Sequence, residues 1–156
     1  MKGNAKLLEK LNALLAEELT AINQYMVHSE MCENWGYGKL HKANEKIAIE
    51  EMKHAEKLIA RILFLEGMPI VSKLNPLHIG SSVKDMLAND LKAEVEAVSS
   101  YNDAIALAAE VKDAGTRELL QRILEDEEKH VDWFEAQHDQ IAQMGLERYL
   151  SLQVES

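Results

Sequence analysis

Ile47-Ala48-Ile49-Glu50-Glu51-Met52-Lys53-His54 returns 76 residues later as Ile123-Leu124-Glu125-Asp126-Glu127-Glu128-Lys129-His130. The same offset carries Glu18 onto Glu94, Ala21 onto Ala97 and Tyr25 onto Tyr101. Glu18 precedes Glu51 by 33 residues, and Glu94 precedes Glu127 by the same 33. Acidic matches arise easily by chance in a chain with 27 carboxylates. Tyrosines and histidines matching at one offset do not. The chain reads as one hairpin repeated twice, too few units for a solenoid.

Each quoted stretch lies on a helical apolar stripe. The first helix reads Leu11, Leu15, Glu18, Ile22 and Tyr25, and the second Ile47, Glu51, His54, Leu58 and Ile62. The third reads Leu87, Leu91, Glu94, Val98 and Tyr101, and the fourth Ile123, Glu127, His130 and Phe134. Every helix thus places a carboxylate, and two also an imidazole, where a leucine would pack. Boundaries follow from the breakers. Helix one is expected over residues 5–35, stopped by Gly36-Tyr37-Gly38. Helix two runs over 40–66, stopped by Gly67-Met68-Pro69. Helix three starts at Ser81 or Ser82, with Asp85 placed for a variant capping box, and runs to Val111. Helix four follows Gly115-Thr116 and ends near Gly145, and a short fifth helix covers 146–153. The stretch 68–81 could extend about 46 Å at ~3.3 Å per residue, enough to run the ~42 Å of a 28-residue helix. The expected fold is therefore all-α: an antiparallel four-helix bundle, two hairpins joined by one long crossover between helices two and three.

Four glutamates in a core are prohibitive unaided. Each costs several kcal/mol when unpaired, and the four repel one another. Two divalent cations bring four positive charges, and two neutral imidazoles complete the shell. One Glu from each of two helices, plus Glu-x-x-His from each of the other two, is the di-iron and di-manganese pattern. The candidate metal ligands are Glu18, Glu51, His54, Glu94, Glu127 and His130. Oxygen and imidazole donors suit iron or manganese, and the chain offers no paired thiolates. A lone Glu-x-x-His is usually a solvated face; the alternative for this pair is a buried polar network without metal.

The bulk properties bound the rest. A chain of 156 residues, 47% hydrophobic and 28% charged, suits one soluble domain with a core. A net charge of -10 argues against nucleic acid or an anionic membrane as partner. Cys32, the one cysteine, rules out an intrachain disulfide and fits a reducing compartment. No apolar leader or membrane-length stretch is present, so a cytoplasmic location is expected.

The stretches Glu18-Leu19-Thr20-Ala21-Ile22-Asn23-Gln24-Tyr25, Glu51-Met52-Lys53-His54-Ala55, Arg61-Ile62-Leu63-Phe64-Leu65-Glu66-Gly67 and Asp126-Glu127-Glu128-Lys129-His130 resemble the bacterioferritins, the haem-containing branch of the ferritin family. The resemblance covers nearly the whole chain. It implies a single ferritin-like di-iron domain over 1–156 and a hollow shell of 24 subunits built from dimers. Such a shell oxidises Fe(II) with O2 or H2O2 at a ferroxidase centre and stores the ferric mineral inside. By resemblance Glu51 and Glu127 bridge two iron ions, and Glu18 and Glu94 are terminal. Partners implied are Fe(II), the oxidant, a ferredoxin-type reductant and, in some members, a second bacterioferritin chain.

By the same resemblance Met52 is the axial ligand of a haem b shared between two subunits. Met52 lies about 100° around the helix from Glu51, off the metal-facing stripe. It shares a flank with Ala48, Ile49, Ala55 and Ile59, which reads as a subunit interface. Mere packing in that contact is the alternative. Tyr25 matches the family and could donate an electron during oxygen reduction; otherwise it is a core tyrosine. Tyr101 is its repeat mate.

Other positions depart from the family. Lys46 stands where some members carry histidine, Glu50 where some carry aspartate, and Leu58 where some carry tyrosine. The first two positions belong to an additional iron site on the cavity wall, which a protonated Lys46 cannot serve. Trp35 and Trp133 read as packing residues, Cys32 as a small core or interface residue, and His28, His41, His78 and His138 as surface or interface histidines. Rival functions are a soluble di-metal oxidase or peroxidase without mineral and a haem-linked electron carrier. The absence of Cys-x-x-Cys argues against a rubrerythrin.

Overall fold

The computed structural model describes residues 1–155. Four long helices and one short one follow in order: α1 (Ala5–Asn34), α2 (Gly38–Phe64), α3 (Val83–Glu110), α4 (Ala114–Met144) and α5 (Leu146–Ser151). α1 lies along α2 and α3 along α4; across the bundle α1 faces α3 and α2 faces α4. The expected pair of hairpins joined by a crossover is what forms. The fifth helix stops two residues short of its expected end.

Side chains written into the sequence set the helix starts. Asn4 Oδ1 accepts the Leu7 N–H at 3.1 Å, and Asp113 Oδ1 accepts the Thr116 N–H at 3.0 Å. At α3 only half of the expected capping box appears. Ser82 Oγ accepts the Asp85 N–H at 3.2 Å, but the Asp85 carboxylate takes the Ser81 hydroxyl at 3.0 Å instead of reaching back to the Ser82 backbone. The helix stops fall within two residues of expectation, but the residues that make the turns are a second correction. α1 ends in a Schellman turn with Gly36 at φ 84, Gly36 N bonding Glu33 O and Tyr37 N bonding Cys32 O. α2 and α3 end in the same turn, but the left-handed residues are Glu66 and Lys112, at φ 62 and 61, not the nearby Gly67 and Gly115. Each non-glycine costs about 1 kcal/mol there.

The crossover is strapped along α1 by side chains one or two turns apart. Asn12 Oδ1, Thr20 Oγ1, Gln24 Oε1 and His28 Nε2 accept the backbone N–H groups of Ile70, Asn75, His78 and Gly80 at 2.8–3.1 Å. His28 is therefore no surface histidine. It is fully buried; its Nε2 accepts from Gly80, so its proton sits on Nδ1, 3.0 Å from Asp90 Oδ2. The pair joins α1, α3 and the crossover. Of the other three, His78 is exposed, while His41 and His138 are half-buried.

Two apolar clusters fill the bundle. One holds Leu7, Leu11, Leu14, Leu58, Ile62, Tyr101 and Leu120. The other holds Tyr25, Cys32, Leu40, Leu87, Phe134 and Tyr149. Cys32 is thus a core residue. Trp133 packs edge-on against Phe134, whereas Trp35 is 40% exposed. α5 is pinned by Tyr149, whose hydroxyl donates to Gln137 Oε1 at 2.7 Å. No helix among the described residues is long and apolar enough to cross a membrane.

Candidate metal centre

Between the two apolar clusters lies a polar layer to which all four long helices contribute. Glu18 comes from α1, Glu51 and His54 from α2, Glu94 from α3, and Glu127 and His130 from α4. All six are buried, none more than 5% exposed. Their donor atoms form two overlapping groups, each with atoms within 4.8 Å of one another: Glu18, Glu51, His54 and Glu127; and Glu51, Glu94, Glu127 and His130. Glu51 and Glu127 belong to both. His54 Nδ1 lies 2.9 Å from Glu127 Oε1 and 3.0 Å from Glu51 Oε1. His130 Nδ1 lies 3.4 Å from Glu94 Oε1 and 3.6 Å from Glu51 Oε1.

Among the described residues, ten buried side-chain N or O atoms lack a hydrogen-bond partner. Seven of them are here: Glu18 Oε2, Glu51 Oε1, His54 Nδ1, Glu94 Oε2, both Glu127 oxygens and His130 Nδ1. A buried polar atom left unpaired is costly. Seven converging on one space are explained if cations bind there.

Two tyrosines close the layer, crossed between the hairpins. Tyr25 of α1 donates to Glu94 Oε1 of α3 at 2.5 Å, and Tyr101 of α3 donates to Glu18 Oε1 of α1 at 2.7 Å. Burial, then the facing carboxylate, pushes each phenol well above its ordinary value, so both remain donors. Two carboxylates close it from the other side. Asp126 Oδ2 lies 2.8 Å from His54 Nε2, and Glu50 Oε2 lies 2.5 Å from His130 Nε2. The repeat pairs Glu50 with Asp126, but a sequence does not say which imidazole each carboxylate meets.

The electrostatics of the metal-free layer are those of a site holding protons in place of metal. Burial raises Glu18 to about 7, with the Glu127 charge adding to it. Glu51 and Glu94 are pushed well up, by burial first and by neighbouring carboxylates next. Burial also acts to raise Glu127, but the close approach of Glu94, His130 and His54 to its carboxylate outweighs it and holds Glu127 well below the usual range. Burial would lower both imidazoles; the close carboxylates of Glu127 and Glu18 and the bond to Asp126 raise His54 to about 11, and the close carboxylates of Glu127 and Glu94 raise His130 to about 11.

The layer opens to the surface on the α1–α3 side. A cleft of about 180 Å³ bordered by Glu17, Thr20, Gln24, Asn75, His78 and Glu96 leads down to Glu18, Glu51 and Glu94. Away from the layer, Met52 is 45% exposed on α2, in a mostly apolar groove with Ile22, Met26 and Ile49. The expected flank is narrower than the sequence implied. Ile49 and Met52 are exposed, whereas Ala48 and Ala55 are buried within the chain.

A bundle of this connectivity with crossed Glu and Glu-x-x-His donors defines a ferritin-like carboxylate protein. Residues 8–144 match the family model for the ferritin-like domain, and the chain belongs to that family. Its relatives include bacterioferritins of Brucella melitensis, 44% identical over 96% of this chain and 92% of that one, and of Rhodobacter capsulatus, 46% identical over 94% and 92%. The bacterial ferritin of Synechocystis is 40% identical over 99% of both chains. Within the family the chain stands with the bacterioferritins, and its function is iron storage.

Proposed function

We propose that the chain is a ferroxidase that loads the store. Glu51 and Glu127 bridge two Fe(II) ions, Glu18 and His54 complete one site, and Glu94 and His130 the other. The convergence of seven unpartnered buried donor atoms on one space carries this reading. Fe(II) is the substrate. Two ions give up one electron each; O2 with two protons becomes H2O2, or H2O2 with two protons becomes two waters. Four carboxylates favour the product because they offset the added charge on Fe(III). The protons held by the metal-free layer leave as the ions bind. The acidic cleft past Glu17 and Glu96 gives cations a way in. Tyr25 donates its hydroxyl hydrogen bond to Glu94; where the centre holds a single Fe(II), it would supply the second electron that H2O2 takes, with its phenolic proton going to the water formed.

The rest of the reading leans on the relatives. Residues 1–156 form one ferritin-like domain, copies assemble through dimers into a 24-subunit shell, and the mineral fills it. Met52, exposed in a mostly apolar groove, would hold haem b together with the same residue of a second copy. A ferredoxin-type protein supplies electrons for iron release, and the setting is the cytoplasm.

The test is anaerobic Fe(II) titration of the assembled protein, then exposure to O2 or H2O2, with particle size followed by light scattering. Fast oxidation saturating near two irons per chain, in a shell that then takes up far more iron, is the expected result. Fast oxidation that stops at two irons in a dimer would make the protein a di-metal oxidase without a mineral.

A further inference from the structure

We infer that Glu50 and Asp126 are positioning residues of the metal centre, each on one metal-binding helix and each holding the other helix's histidine. The inference rests on the di-metal reading above. Glu50 directly precedes Glu51, and Asp126 directly precedes Glu127. One residue is about 100° of helix, so neither can share the stripe that faces the metals. Each instead projects along the α2–α4 face and crosses it. Glu50 of α2 meets His130 of α4 at 2.5 Å, and Asp126 of α4 meets His54 of α2 at 2.8 Å.

The consequence for the imidazoles is specific. A carboxylate can only accept, so Nε2 of each ring carries the proton that it donates outward. That hydrogen bond aims the ring and leaves Nδ1, the atom turned into the layer, to act as a metal donor. Both Nδ1 atoms are buried and lack hydrogen-bond partners. The carboxylates also cap the rings. Glu50 and Asp126 side chains are 33% and 41% exposed, while the His130 and His54 side chains behind them are 6% and 2% exposed. The layer is thus open toward the cleft on the α1–α3 side and sealed on the α2–α4 side. Glu50 is committed to His130, and neighbouring Lys46 carries positive charge; position 50 works here as part of this centre, not of a separate iron site.

Co(II) binding to the assembled protein under anaerobic conditions tests this, read by the visible d–d spectrum and by calorimetry. The wild-type chain should take two Co(II). Glu50→Ala should weaken one of the two by about 10–100-fold and alter its spectrum, as loss of an outer partner does. Asp126→Ala should weaken one, and the double variant both. Glu50→Gln, whose amide oxygen can still accept from Nε2, should recover most of the lost affinity. Two Co(II) bound by Glu50→Ala with wild-type affinity and spectrum would overturn the positioning role and leave the metal centre standing. Failure of Glu50→Gln to recover affinity would overturn it as well. A wild-type chain that binds no Co(II) would remove the di-metal reading itself.

Discussion

At the scale of single residues, the centre is a set of groups that would be a liability anywhere else in the core. Glu94 shows the balance. It is 1% exposed, accepts a hydrogen bond from the Tyr25 hydroxyl, and is pushed up first by burial and then by Glu127. Glu94→Ala removes a donor and a buried acid together. Helix content should stay near wild type by circular dichroism, while stopped-flow iron oxidation slows by more than the about 10–100-fold typical of an outer partner. Oxidation at the wild-type rate would sink the assignment of this centre. The six donors are legible in the sequence because each interrupts an apolar stripe at a repeated position. The pairings around them are not. Tyr25 lies on the stripe of Glu18, yet bonds Glu94; helical periodicity gives the direction of a side chain but not its neighbour across the bundle.

At the scale of elements, the crossover does more than span a distance. Its backbone donors are taken up by side chains of α1, and Gly80 sits where it joins α3. A Cβ at Gly80 would collide with Met86 N and lie 2.8 Å from the Asp85 carbonyl carbon, backbone atoms that cannot swing away. Gly80→Ala should destabilise by about 1–3 kcal/mol, as overpacking does, and lower the melting temperature of the metal-free chain. An unchanged melting temperature would show that this junction yields. The length and end-to-end direction of the crossover follow from counting residues. Its anchoring through His28 and Asp90 does not: both sit on core stripes, His28 three residues after Tyr25 and Asp90 four before Glu94, but periodicity gives neither the partner across the bundle nor the bond to Gly80. The helix stops were read to within two residues, but not the residues that make the left-handed turns. Glycine prefers the left-handed turn, but Glu66 and Lys112 take it because the packing of the hairpins fixes where each helix must end.

At the scale of the whole molecule, protons occupy the layer in which the proposed metal ions would bind. His54 and His130 are raised from 6.5 to about 11, so their contribution to stability is whole below pH 6.5 and is lost as pH climbs through 11. Glu18, raised from 4.5 to about 7, adds a further loss between those two values. Glu127, held low, acts oppositely: its contribution is present above 4.5 and lost only in acid. The melting temperature of the metal-free chain should therefore fall from about pH 5 to about pH 11, and Zn(II) should flatten that fall by replacing the protons. Glu18→Gln should make it shallower between 4.5 and 7; an unchanged slope would show that Glu18 does not titrate there. Assembly is tested separately at Met52. Met52→Leu should abolish the absorbance of bound haem while particle size is retained, and retained haem would reject Met52 as its ligand.

The class of fold, the order of the helices and the six buried acids and imidazoles that converge in the core were legible in the sequence alone. Periodicity of 3.6, breakers and an internal repeat are properties of a chain read one residue at a time. Only the tertiary structure decided which groups meet: Tyr25 with Glu94, Tyr101 with Glu18, Asp126 with His54, Glu50 with His130, and His28 with Asp90. Such contacts depend on the rotation and offset of one helix against another, which packing of the whole bundle sets and no local pattern records.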